Sequence, residues 1–225
     1  MTDETDDGRY RTYRGNILQR LGIGRPAIEL AGPPESPVWM HPIELSQIRA
    51  VLHTVSPRFM LEWGSGGSSR AWLEALPGLE RLCSVEHDAA WGQRVRESIT
   101  DPRFTLLLRP PPAHAPEPEH RPGDKQTAAA HRAWCMRGED EPELMRHYVD
   151  APTELGVTFD VALVDGRART HCLRKAFELV RPGGMVILHD AQRSEYHATV
   201  EALGGGLYLT PWSQGQVCLL RIPAG

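Results

Sequence analysis

The sequence predicts one doubly wound α/β domain with a mostly parallel, seven-stranded sheet and a C-terminal antiparallel hairpin. Three observations point to it. Short apolar runs alternate with helical patterns between residues 58 and 222. Glycine, proline or aspartate punctuates the joints between them. The conspicuous ionisable residues fall where strand-like runs end, the edge at which such sheets bind ligands.

The elements follow in order. Gly22, Gly24, Pro26, Gly32, Pro33, Pro34, Pro37 and Pro42 make residues 22–42 an extended lead-in, after a charged start over 1–15. Ile43–Val55 reads as a helix stopped by Pro57. Arg58–Trp63 is the first strand, followed by the loop Gly64-Ser65-Gly66-Gly67-Ser68-Ser69 and a helix to Leu76. Arg81–Val85 and Arg103–Leu108 are the next two strands, with a helix over Ala89–Ile99 between them. Pro110, Pro111, Pro112, Pro116, Pro118 and Pro122 then exclude regular structure, and residues 125–149 return to a helical pattern. Residues 109–158 are therefore an insertion, expected to cover the mouth of the domain as a lid. Phe159–Asp165 and Met185–Asp190 are strands around a helix over Thr170–Val180, and Arg181-Pro182-Gly183-Gly184 is a turn. A helix near 194–203 leads to two last strands, Leu207–Pro211 and Gln216–Ile222, joined by Trp212-Ser213-Gln214-Gly215. Residues 1–57 are thus an extension and lead-in helix, and residues 58–225 the domain.

Composition narrows the function. The chain has 225 residues, 40% of them hydrophobic, and a net charge of −4. That balance disfavours a nucleic-acid partner, which a basic face would have to hold. No apolar run spans a bilayer and the N-terminus is acidic and polar, so a cytoplasmic protein without a membrane partner is expected. Cys83, Cys135, Cys172 and Cys218 form no C-x-x-C pair, which leaves a zinc or redox motif unsupported. The N-terminal segment leaves room for a homo-oligomer.

The strand ends carry the chemistry. Gly64 and Gly66 allow close backbone approach, and the next helix's N-terminus can hold a carboxylate. Glu86, about twenty residues on, stands where an acidic side chain accepts from ribose hydroxyls. A surface carboxylate capping the next helix is the other reading. Asp165, His189 and Asp190 are candidate proton-handling residues, and a metal shared by Asp165 and Asp190 would acidify a hydroxyl. Asp165 is equally suited to bonding loop backbone, His189 to a satisfied buried position, and Asp190 to a helix cap.

Leu61-Glu62-Trp63-Gly64-Ser65-Gly66 resembles the first motif of class I S-adenosylmethionine-dependent methyltransferases. Ser84-Val85-Glu86-His87-Asp88 resembles their second motif, Phe159–Gly166 their fourth-strand motif, and Leu179–Gly184 their turn into strand five. The resemblance covers about residues 58–222. It implies a Rossmann-like fold with S-adenosylmethionine as cofactor. Glu62 and the Gly64–Gly66 backbone would hold its methionine part, with Ser65 in the same loop. Ser68 and Ser69 would add hydroxyl donors, Glu86 would hold the ribose, His87 would flank the adenine and Asp165 would also border the cofactor. A dinucleotide fingerprint is the rival, but Ser69 replaces its third glycine. A non-catalytic module of the same fold is the other alternative.

At the acceptor end, Asp165 and Asp190 match one carboxylate each of the metal-dependent catechol-type enzymes. Ala191 stands where those carry an asparagine, so Mg2+ or another divalent metal is expected only in part. Leu188-His189-Asp190-Ala191-Gln192-Arg193 and Asp165-Gly166-Arg167 resemble sugar and polysaccharide O-methyltransferases. A hydroxyl on a small polar molecule or sugar is the implied acceptor. Arg167, Arg169 and Arg193 are candidates to meet an acidic group on it, and Trp134 and Tyr148 to contact it from the insertion.

Overall fold

The computed structural model describes residues 31–32, 37–121, 123–210 and 215–224. The reading of residues 1–15, most of the lead-in, and the joint at Trp212-Ser213-Gln214 lie outside these. Among the described residues no helix is long and apolar enough to cross a membrane.

Helix α1 (Pro42–Val55) precedes the sheet, whose first half runs β1 (Phe59–Trp63), α2 (Gly67–Ala75), β2 (Arg81–Glu86), α3 (Ala89–Ser98) and β3 (Phe104–Leu108). The insertion carries α4 (Lys125–Asp140) and the short α5 (Arg146–Asp150). The second half runs β4 (Phe159–Val164), α6 (Arg169–Leu179), β5 (Val180–Leu188), α7 (His197–Ala202), β6 (Leu207–Tyr208) and β7 (Cys218–Arg221). The strand order is β3-β2-β1-β4-β5-β7-β6. The first five strands are parallel, and β7 runs antiparallel between β5 and β6. The order reverses between β1 and β4, so their carboxyl ends open a crevice there.

Strand alternation sends Leu61, Trp63, Ala162 and Val164 to one apolar layer and Met60, Val161 and Leu163 to the other. Helices α1, α2 and α3 cover the second layer. Helix α1 starts with His41 as cap, Pro42 in the first turn, and Glu44 bonding back to the His41 N–H at 3.0 Å. It buries Leu45, Ile48 and Leu52, at helical spacing. The lead-in helix is thus part of the core rather than an appendage.

Four details depart from the sequence expectation. The helical stretch over 125–149 is broken after Asp140, because Pro142 opens a 3-10 turn, Pro142–Met145, before α5 begins. The insertion is also less lid than wall: Trp134, Leu144, Met145, Tyr148 and Val149 join the buried layer on the α6 side. The expected turn at Arg181–Gly184 is the irregular start of β5, with the register slipping between Phe159 and Val161. Gly184 is required there, since a Cβ would lie 2.7 Å from the Asp160 carbonyl oxygen. Strand β6 also stops at Tyr208, short of the expected Pro211.

Ile48→Ala is expected to lower the unfolding free energy by roughly 2–5 kcal/mol in a urea titration. A change near zero would return α1 to the status of a detachable lead-in.

Candidate functional site

A cleft of about 370 Å3 lies over the crevice, between the glycine loop, the end of β2 and the end of β4. Its geometry begins with a carboxylate that never reaches it. Glu62 points into the layer under α2 and is fully buried. It accepts from the hydroxyls of Ser68 (2.8 Å), Ser69 (2.5 Å) and Ser84 (3.0 Å) and from the Trp72 indole (3.1 Å). Burial pushes its pKa up to about 7, against the pull of these four donors. Glu62 therefore staples β1, β2 and α2 together beneath the loop. The Ser68 and Ser69 hydroxyls are spent on it and donate nothing to the cleft, contrary to expectation. The loop itself bends at Gly64, where φ is +95° and a Cβ would lie 2.9 Å from the Asp165 carbonyl. Only glycine lets the loop lie this close to the end of β4. Gly67 and Ser68, at the start of α2, face the cleft with first-turn N–H groups that lack helical partners.

Glu86, at the end of β2, is 3% exposed. Its carboxylate accepts from the N–H (3.1 Å) and hydroxyl (3.3 Å) of Ser65 and from the N–H groups of His87 (2.7 Å) and Asp88 (2.8 Å). The His87 ring lies between Glu86 and Glu117, 2.8 Å from each as charge contacts rather than aligned hydrogen bonds. Burial would lower the His87 pKa, but the two carboxylates raise it to about 8. Glu117 comes from the proline-dense stretch and also meets His131 (2.8 Å) and Arg167 (3.1 Å). Despite partial burial, His87 and Arg167 hold its carboxyl well below the usual range. Sequence reading missed it, since one glutamate among prolines carries no signal.

The acceptor edge is a chain of alternating charge. Asp165 Oδ1 lies 2.8 Å from His189 Nδ1 and 3.1 Å from Arg169 Nη2. His189 Nε2 faces Glu44 of α1 at 3.4 Å. Burial disfavours the imidazolium, yet Asp165, Glu44 and Asp190 together raise its pKa to about 10. At neutral pH His189 is a cation and takes up no proton. Asp190, in the left-handed region at φ 57°, is held by Arg193 (2.5 Å) and by Arg169 (3.5 Å).

These surroundings do not fit a divalent metal at Asp165 and Asp190. The Arg169 guanidinium already stands between the two carboxylates, and among the described residues no group of three or more His, Cys, Asp or Glu side chains is arranged to hold a metal ion. The sequence expectation of a metal there is corrected on that ground. Arg169 lines the cleft but is 5% exposed, and its guanidinium donors are spent on Gly166, His189, Asp190 and Asp165 rather than on an acceptor. Trp134 and Tyr148, expected against the acceptor, lie in the core at 5% and 1% exposure, where they pack around His87. Arg167 and Arg193 remain on the surface of a second cavity of about 790 Å3 between α4 and the loop after β5. That cavity shares Arg167 and Asp190 with the first. Trp39, 71% exposed on the rim of the first cleft, was also missed.

The raised His189 pKa gives a signed prediction. Its ordinary value is 6.5, so its contribution to stability is complete below that pH and is lost as pH rises through about 10. His87 is half-deprotonated at about pH 8 and adds a smaller, fading loss above it, and buried thiols start from 9.0. Between those limits the unfolding free energy should fall by roughly one kcal/mol per pH unit. In His189→Gln most of that slope should be lost, His87 leaving a small remainder; an unchanged slope would place the proton elsewhere.

No family model matches this sequence, and no curated protein does. Solved structures do share the fold. A methyltransferase-like protein from Silicibacter pomeroyi is 21% identical over 84% of this chain and 91% of its own, with a TM-score of 0.54. An O-methyltransferase from Bacillus cereus, solved with SAH, is 15% identical over 88% and 84%, with a TM-score of 0.53. The O-methyltransferase TomG from Streptomyces achromogenes, involved in tomaymycin synthesis and solved with SAM, is 17% identical over 92% and 86%, with a TM-score of 0.51. With the strand order and the cleft in place, the chain has the fold of the class I S-adenosylmethionine-dependent methyltransferases.

Proposed function

We propose that this protein is an S-adenosylmethionine-dependent methyltransferase acting on a hydroxyl of a small polar molecule or sugar. The observation that carries the reading is one cleft at the strand-order reversal that brings together the glycine loop, Glu86 and Asp165. The first-turn N–H groups of α2 and the Gly64–Gly66 backbone suit the cofactor's methionine carboxylate. Glu86 suits its ribose, the hydroxyls taking the place of the Ser65 donors. His87, Asp88 and Trp91 line the end left for the adenine. When bound, the cofactor supplies an electrophilic methyl group whose carbon–sulfur bond breaks as the acceptor oxygen bonds to carbon.

The chain's own task is then to orient the acceptor and receive its proton. Asp165 is the residue placed to do so. Its Oδ1 is held by His189 and Arg169, and among the described residues Oδ2 has no partner. His189 positions Asp165 without exchanging a proton. The second cavity, which adjoins the first at Arg167 and Asp190, is the place for the rest of the acceptor.

Calorimetry should show S-adenosylmethionine binding with NAD+ inert. Glu86→Ala should weaken it about 10- to 100-fold, the loss of one or two charge-assisted bonds. Normal affinity in that variant would remove Glu86 from the ribose. With hydroxylated sugars and phenols as acceptors, Asp165→Asn should lower kcat by about 10^2- to 10^4-fold at unchanged cofactor affinity. Full turnover by Asp165→Asn would assign the proton to another group.

A further inference from the structure

The failed fit of a metal has a positive content. Helix α6 begins at Arg169 behind Ala168, which is left-handed and offers no side-chain cap. Glu139 of α4 supplies the cap instead, accepting from the N–H of Arg169 and of Thr170, each at 2.9 Å. The guanidinium so placed donates to five oxygens. Nε reaches the Gly166 carbonyl (2.9 Å), and Nη1 the His189 carbonyl (2.5 Å) and Asp190 Oδ2 (3.5 Å). Nη2 reaches the Asp165 carbonyl and its Oδ1, both at 3.1 Å. Three carbonyls and two carboxylates converging from the ends of two strands form the donor set that hard divalent cations take. Here a side chain of the same molecule fills it.

We infer that the Arg169 guanidinium is a built-in replacement for a divalent cation, joining Asp165 to Asp190 so that this site works without metal. Arg169 is a positioning residue. It fixes the two carboxylates and cancels charge that a metal would otherwise cancel, but a fully engaged guanidinium leaves no vacant position to polarise an acceptor oxygen. Under the methyltransferase reading, on which this part rests, the acceptor is activated by loss of its proton to Asp165 alone. Acidic hydroxyls are then favoured over simple alcohols.

The test is Mn2+ binding to the full chain, followed by electron paramagnetic resonance and by the thermal midpoint after dialysis against chelator. Wild type should take up no Mn2+, and its midpoint should not move. Arg169→Ala frees the oxygen cage. It should melt lower than wild type, bind Mn2+ about tenfold more tightly or better, and recover part of its midpoint on adding Mn2+. Arg169→Lys, which keeps a cation in place, should resemble wild type in Mn2+ uptake. Stoichiometric Mn2+ uptake by wild type that Asp190→Asn abolishes would overturn the inference. So would a folded Arg169→Ala that gains no Mn2+ affinity. Should Arg169→Ala not fold, the wild-type and Arg169→Lys titrations still decide. Because neither readout needs S-adenosylmethionine, failure here is distinct from failure of the methyltransferase reading.

Discussion

Buried charge governs this site. Glu44, Asp165 and Asp190 gather at the carboxyl ends of β4 and β5, and such a group of carboxylates is costly away from water unless each meets a cation. His189 lies between Glu44 and Asp165, Arg169 between Asp165 and Asp190, and Arg193 closes the row at Asp190. Three carboxylates thus face three cations. The arrangement joins α1, β4, α6 and the loop after β5. Removing one member would strand its neighbour, so the acceptor edge is rigid because its charges are interdependent. It also explains why His189, a candidate base by its position in the sequence, serves as a fixed cation.

A second staple acts beneath the cofactor end. Glu62 holds three hydroxyls and an indole, and its raised pKa of about 7 records how far burial works against them. The donors come from α2 and β2, so the glycine loop above cannot shift without disturbing the sheet. The cleft is preorganised from below by Glu62 and from the side by the close approach of Gly64 to Asp165.

The fold was largely legible, because the alternation of strands and helices is local and glycine and proline mark its joints. So were the strand-end residues, since topology alone carries Glu86, Asp165, His189 and Asp190 to one edge. What escaped the sequence was partnership. Nothing local tells that Glu44, an ordinary third residue of a helix, will meet His189 across 145 positions. Arg169 and Arg193 look alike as sequence; a residue at the buried start of α6 and one on a surface loop acquire different roles only in three dimensions. Trp134 and Tyr148 read as lid residues because the insertion read as a loop. Once its helices cover the sheet, aromatic side chains belong in the layer they close.

The insertion links the two ends of the site. Through Glu139 it caps α6 and so sets the place of Arg169 at the acceptor edge. Through Glu117 it reaches His87 beside Glu86 and Arg167 beyond β4. Both carboxylates come from a segment that departs from the simple strand-and-helix alternation, and its core residues anchor it on the sheet. A shift of that segment would act on the cofactor cleft and on the charged row together. The departure from regular alternation is therefore where this chain's version of the site is specified, while the sheet beneath supplies the frame.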